Sequence, residues 1–158
     1  MNDLFIVLGN QLFHPKLLKE KGCTDVFMAE DFGLCTYVKH HKLKIYFFLC
    51  CMREYADELR TTGINVYYFK LSERDENQTY TELLCSFLSE KKVANLNLFE
   101  IEDKSFELPF LKVLANAGIT YSIIDSPMFM FSRKDFSDFH KGLKQFRMNS
   151  FYIFGRKK

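Results

Sequence analysis

Asp25-Val26-Phe27-Met28-Ala29-Glu30-Asp31 is an apolar run of strand length that stops abruptly at two carboxylates. A mixed segment containing Gly33, Tyr37 and the pair His40-His41 follows it. Beyond that, Ile45, Phe48, Leu49, Met52, Ala56 and Leu59 recur at helical spacing. Residues at i, i+3, i+4 and i+7 share one face because 3.6 residues complete a turn. The periodic stretch closes at Thr61-Thr62-Gly63, where glycine suits the left-handed position after a helix end. A strand therefore leads through a polar loop into a helix that lies back on the sheet. In open α/β folds ligands settle beyond the carboxyl ends of such strands. Glu30, Tyr37, His40, His41 and Lys42 are accordingly the first candidates for function.

The same alternation extends in both directions. Leu4-Phe5-Ile6-Val7-Leu8 is a continuous apolar run closed by Gly9, the pattern of a strand covered on both faces. The turn Gly9-Asn10-Gln11-Leu12 places two amides just past it. A short helical pattern spans residues 15–22, and the long helix is expected over residues 39–60. Residues 65–69 read as a strand rich in β-branched and aromatic side chains. After the polar loop 72–78, a helix over residues 80–91 carries Leu83, Leu84, Phe87 and Leu88 on one face. A strand at 96–101, a helix at 105–117 ended by Gly118, and a strand at 120–125 complete the series. This rhythm predicts βαβ units with right-handed crossovers. The fold class expected is α/β, a single Rossmann-like or flavodoxin-like three-layer sandwich with a five-stranded parallel sheet. Its strand order is not readable from the pattern.

Residues 1–126 are read as this α/β domain and residues 127–158 as a basic, aromatic helix and linker. Ser132 can cap a helix carrying Phe136, Phe139, Leu143 and Phe146. Phe151, Tyr152 and Phe154 then stand with no later element to cover them, so a neighbouring domain or subunit is expected there. From Arg133 to the end, eight Lys/Arg face two Asp, a local balance of +6 within a net charge of +2. So small a net charge does not by itself imply nucleic-acid binding, but the interleaved rings favour docking or nucleic-acid contact over a merely solvated face.

At 158 residues with 47% hydrophobic side chains, the chain can bury a full core and is not a disordered polymer. Eighteen Phe and eight Tyr against no Trp make that core one of packed rings. Five cysteines without a C-x-x-C pair are expected to be reduced thiols of a cytoplasmic protein. Cys/His spacing excludes an ordinary zinc site, so no metal ligands are expected. No run approaches membrane-spanning length, and the opening residues, without a basic n-region or a long apolar run, are not expected to act as a signal peptide.

The local motifs of common small-molecule chemistry are missing. Gly9 is followed by Asn10-Gln11-Leu12-Phe13-His14 in place of G-x-G-x-x-G, and there is no P-loop, G-x-S-x-G elbow or H-E-x-x-H. No catalytic residue is assigned. Asn10 and Gln11 have a plain reading, hydrogen bonds within their own turn. Glu30 and Asp31 serve either a site or the cap of the next helix, and His40-His41 either a ligand or solvent.

In order and spacing, Val7-Leu8-Gly9-Asn10-Gln11-Leu12, Met28-Ala29-Glu30 and Tyr37-Val38-Lys39-His40-His41-Lys42-Leu43-Lys44-Ile45 resemble the N-terminal domain of the photolyase-related family of iron–sulfur prokaryotic cryptochromes and photolyases. Met52-Arg53-Glu54-Tyr55-Ala56, Val66-Tyr67-Tyr68, Phe131-Ser132-Arg133-Lys134-Asp135-Phe136 and Gln145-Phe146-Arg147-Met148 continue the resemblance. It implies an α/β antenna-type domain of a flavoprotein for light-dependent DNA repair or light sensing, not active alone. A ribityl-lumazine antenna would be held by Gly9, Asn10, Gln11, Glu30, Tyr37, His40, His41 and Lys42. FAD and a [4Fe–4S] cluster would belong to a C-terminal helical domain, or an equivalent subunit, outside these residues, with DNA as partner of the full-length protein. The sequence departs from the family where its first turn reads Gly-Asp-Gln-Leu, since Asn10 replaces the acid, and at Asn149. Two other readings stand beside this one. One is a stand-alone nucleotide- or partner-binding module without catalysis. The other is an enzyme acting through Glu30 and His41, which needs a pocket where the two converge.

Overall fold

The computed structural model describes residues 3–157. Five strands, β1 (Asp3–Ile6), β2 (Asp25–Ala29), β3 (Asn65–Phe69), β4 (Asn95–Phe99) and β5 (Tyr121–Ile124), form one sheet in the order β3-β2-β1-β4-β5. Every neighbouring pair is parallel. The chain thus winds outward from β1 to β3, crosses back, and continues through β4 to β5. Winding reverses between β1 and β4. Of the two sandwiches the periodicity allows, this is the Rossmann-like order.

Strand alternation divides the core into two layers. Leu4, Ile6 and Leu8 point to one face and join Phe27, Leu96 and Leu98 under α4 (Tyr80–Lys91) and α5 (Lys104–Asn116). Phe5 and Val7 point to the other, with Val26 and Met28, under α1 (Pro15–Glu20) and α3 (Lys42–Thr61). A period of two in a strand buried on both sides requires apolar residues at every position, which is why these runs are unbroken.

α3 starts at Lys42, three residues later than its periodicity predicts, and its apolar stripe is unevenly buried. Met52, Tyr55, Ala56 and Leu59 are buried, Ile45, Phe48 and Leu49 half-buried, and Leu43, Tyr46 and Phe47 exposed. Length explains the gradient. Twenty helical residues run about 30 Å, whereas a five-residue strand runs about 17 Å. The first turns of α3 therefore overhang the carboxyl edge of the sheet. A further short helix, α2 (Phe32–Thr36), fills the mixed segment before it. Five residues show no helical period, so the sequence pattern does not reveal it.

The chain divides into two compact units, one up to Ile124 and one from Asp125 onward. In the second, Ser132 caps α6 (Arg133–His140) through a reciprocal box with Asp135, and α7 (Met148–Gly155) follows. Leu143 and Phe146 lie past the end of α6, since the chain turns at Gly142 with φ +85°. Phe151 and Phe154 are not bare, as the sequence reading had them. They pack with Phe131 and Phe139, ring centroids 5.0–6.3 Å apart, while Tyr152, Met130 and Met148 remain exposed. The non-helical turn at Gly142 between α6 and α7 brings the rings of the two helices together within the unit.

Candidate ligand cleft at the switch point

Parallel pairing puts the carboxyl ends of all strands on one edge, so the loops after β1, β2 and β4 converge there. Gln11 is fully buried, and its Nε2 donates to the Glu100 carbonyl (2.8 Å) and to Glu102 Oε2 (3.1 Å). Asn10 Nδ2 donates to the same carboxylate oxygen at 3.4 Å. Both amides therefore cross the switch point to the β4 loop and bond outside their own turn. Gly9 is needed for close approach. A methyl group there would stand 2.7 Å from Phe48 Cε1 and 2.8 Å from Met52 Sδ, so Phe48 and Met52 would have to shift to admit one.

Glu30 serves a different task from its neighbours. Its carboxylate is fully buried and takes Arg53 Nε (2.6 Å) and Tyr68 OH (2.8 Å) on one oxygen, and Arg53 Nη2 (3.0 Å) and the Leu71 amide (2.8 Å) on the other. Burial pushes the carboxyl upward, but these donors outweigh it and hold Glu30 below the usual carboxylate range. Burial and the facing carboxylate push the Tyr68 phenol up, keeping it a donor. Arg74, whose side chain is 1% exposed, donates to the Glu30 carbonyl and to the Gln78 carbonyl (2.9 Å) and lies 3.5 Å from Asp31. Glu30 thus knits β2, α3 and the loop after β3 into one edge.

Above this edge lies a cleft of about 410 Å³. Gly9, Asn10 and Ala29 line it from the strand ends, and Tyr37, Phe48, Tyr80 and Phe106 give it aromatic walls. Asp31, Asp103 and Ser105 add polar groups. A second cleft of about 460 Å³ adjoins it, sharing Asp31, Gly33, Tyr80, Ser105 and Phe106, and extends toward Asn77 and Thr79. The Tyr80 phenol is buried without a hydrogen-bond partner, and burial raises its pKa further from neutrality.

Of the residues singled out from sequence, Gly9, Asn10 and Tyr37 meet in the first cleft. Gln11 supports its rim from beneath, and Glu30 is committed to Arg53, Tyr68 and Leu71. His41 caps α3, its Nδ1 accepting from the Leu43 amide at 3.2 Å. His40 lines a hollow of about 100 Å³ with Phe48 and Lys44, whose Nζ is 3.3 Å from its Nδ1. Lys42 is the exposed first residue of α3. Glu30 and His41 line neither cleft together. Tyr80, Asp103, Ser105 and Phe106 escaped the sequence reading. They come from α4, α5 and the loop after β4, and only the adjacency of β1 and β4 brings them to Gly9.

A parallel sandwich with an aromatic-walled cleft at its winding reversal is a Rossmann-like α/β domain. The chain belongs to the family described as deoxyribodipyrimidine photo-lyase-related protein, which it matches over residues 5–158. It is also similar to a (6-4) photolyase of Agrobacterium fabrum, 26% identical over 162 residues. That match takes in all of this chain but 32% of the relative, so the chain spans about a third of the relative's length. Among the described residues, no helix is long and apolar enough to cross a membrane.

Proposed function

We propose that this chain supplies the α/β antenna domain of a photolyase- or cryptochrome-like flavoprotein, and that the first cleft holds a ribityl-lumazine pigment. One observation carries the reading: a ring-walled cavity of about 410 Å³ opens at the switch point, within the roughly 300–1,000 Å³ of small-molecule sites. The residues fit such a group. Tyr37, Phe48 and Phe106 offer faces for a planar heterocycle and exclude water from it, Gly9 leaves room at the floor, and Asn10 offers an amide at the rim. The Tyr80 hydroxyl, buried and unpartnered, is a polar atom that a bound ring edge would satisfy.

When bound, such a pigment absorbs blue light and passes excitation energy to a flavin. On this reading a flavin, an iron–sulfur cluster and the contacts to DNA belong to a helical domain outside these residues. Their domain, or an equivalent subunit, is the partner, and the function served is light-dependent repair or light sensing.

The test is a fluorescence titration of the purified chain with ribityl-lumazine. Saturable uptake of one pigment per chain is expected. Tyr37→Ala should weaken it at least about tenfold, equivalent to about 1.4 kcal/mol, without disturbing the fold, because Tyr37 is 68% exposed. A folded chain that takes up no pigment at millimolar concentration removes the reading.

A further inference from the structure

Phosphate groups in α/β folds sit at helix N-termini, where free amides and the helix dipole attract an anion. Around these two clefts one of the protein's own side chains already accepts an amide at each such helix start. Asp31 Oδ2 accepts from the Leu34 amide at the start of α2 (2.8 Å), and Asp103 Oδ1 from the Ser105 amide at the start of α5 (2.8 Å). At α4, Glu82 accepts from the Thr79 amide (2.8 Å) and Thr79 Oγ1 from the Glu82 amide (3.3 Å). Each of the three helix ends nearest the clefts carries its own carboxylate.

No cation offsets them within the linings. Among the described residues, neither cleft is lined by Lys, Arg or His, whereas Asp31, Glu76 and Asp103 are present. Arg74 lies beside Asp31, but it is buried, lines neither cleft, and donates to the carbonyls of Glu30 and Gln78. Lys44 lies with His40 in the adjoining hollow. The second cleft offers neutral polar groups instead, from Asn77, Gln78, Thr79, Thr81 and Ser105. Tyr80 stands at the partition and lines both spaces, and its hydroxyl is buried without a partner of its own.

We infer that the joined clefts select an uncharged ligand, with a planar ring in the aromatic cleft and a hydroxylated tail along the neutral polar one, and reject the phosphate ester of that same ligand. The inference rests on the antenna reading above and adds the chemical class that the site admits. Asp103 is its specificity-determining residue. Asp103 lines the first cleft and its carboxylate caps α5 at once, so a phosphate there meets a negative charge and a Ser105 amide that is already taken.

The matched pair of ribityl-lumazine and its 5′-phosphate ester, titrated into the full chain at low ionic strength, tests this. The ester should bind at least about tenfold more weakly, and added salt should narrow the gap because it screens repulsion. Asp103→Asn keeps a cap, since asparagine caps helices as well as aspartate does, yet removes the charge and should narrow the gap too. An ester that binds as tightly as the free alcohol overturns the inference and leaves the antenna reading standing. A gap that neither salt nor Asp103→Asn changes overturns the electrostatic assignment. Failure of both ligands to bind a folded chain overturns the antenna reading and the inference together.

Discussion

Replacing Glu30 by Gln isolates the charge that ties the carboxyl edge together. The side chain keeps its volume, so no cavity term enters. Four donors now aim at the carboxylate, at 2.6–3.0 Å, and an amide NH₂ must confront at least one of them. Hydrogen bonds to charged groups contribute about 1.5–3 kcal/mol each. The Arg53 side chain is 47% exposed, so its two are screened and count for much less. The Leu71 amide and the Tyr68 hydroxyl carry most of the remainder, giving a loss of about 2–4 kcal/mol at neutral pH. At about 2–4 °C per kcal/mol for a chain of this size, that lowers Tm by roughly 4–16 °C. The pH dependence has a definite sign. Glu30 is held below its ordinary value near 4.5, so its stabilisation is complete above that value. It fades as pH falls through the lower folded pKa. Urea unfolding followed by circular dichroism at neutral and acidic pH should therefore show wild type and variant converging in acid. A difference under about 0.5 kcal/mol at pH 7, or one that widens as pH falls, refutes the assignment of Glu30 to this network.

Two more substitutions probe the floor and the partition of the cleft. Gly9→Ala should destabilise by about 1–3 kcal/mol, the usual range for overpacking, because the methyl meets Phe48 and Met52 at under 3 Å. Shortening Phe48 to Leu in the same chain should recover part of that loss, and additive losses in the double variant would show that the clash lies elsewhere. Tyr80→Phe removes a buried hydroxyl that has no protein partner, so the melting temperature should hold or rise while pigment affinity falls several-fold. A marked loss of stability would show that the hydroxyl is bonded within the fold.

How much of this was readable before the structure depends on how far each feature reaches along the chain. β3 and α4 lie where periodicity puts them, at Asn65–Phe69 and Tyr80–Lys91, because a strand or amphipathic helix is written in neighbours two to four residues apart. The parallel five-stranded sandwich follows from the alternation of such elements. α2 shows no period of its own in five residues, although one of the two readings of Asp31, the cap of the next helix, is the place it takes at the start of α2. The cleft was half legible. Gly9, Asn10 and Tyr37 were picked out because they follow strands, whereas Glu30 shared that position and turned out to be held by Arg53 and Tyr68, which come from other elements.

The sequence by itself determined the local alphabet of this protein: which runs are strands, which faces are apolar, and which polar residues end each strand. Tertiary structure alone decided that β1 lies beside β4. That adjacency sends Gln11 across to Glu100, brings Asp103 and Phe106 opposite Gly9, and opens the cleft between them. The physical reason is that strand order is set by the packing of helices some tens of residues apart on two faces of a sheet. No short-range pattern of side chains encodes such a choice.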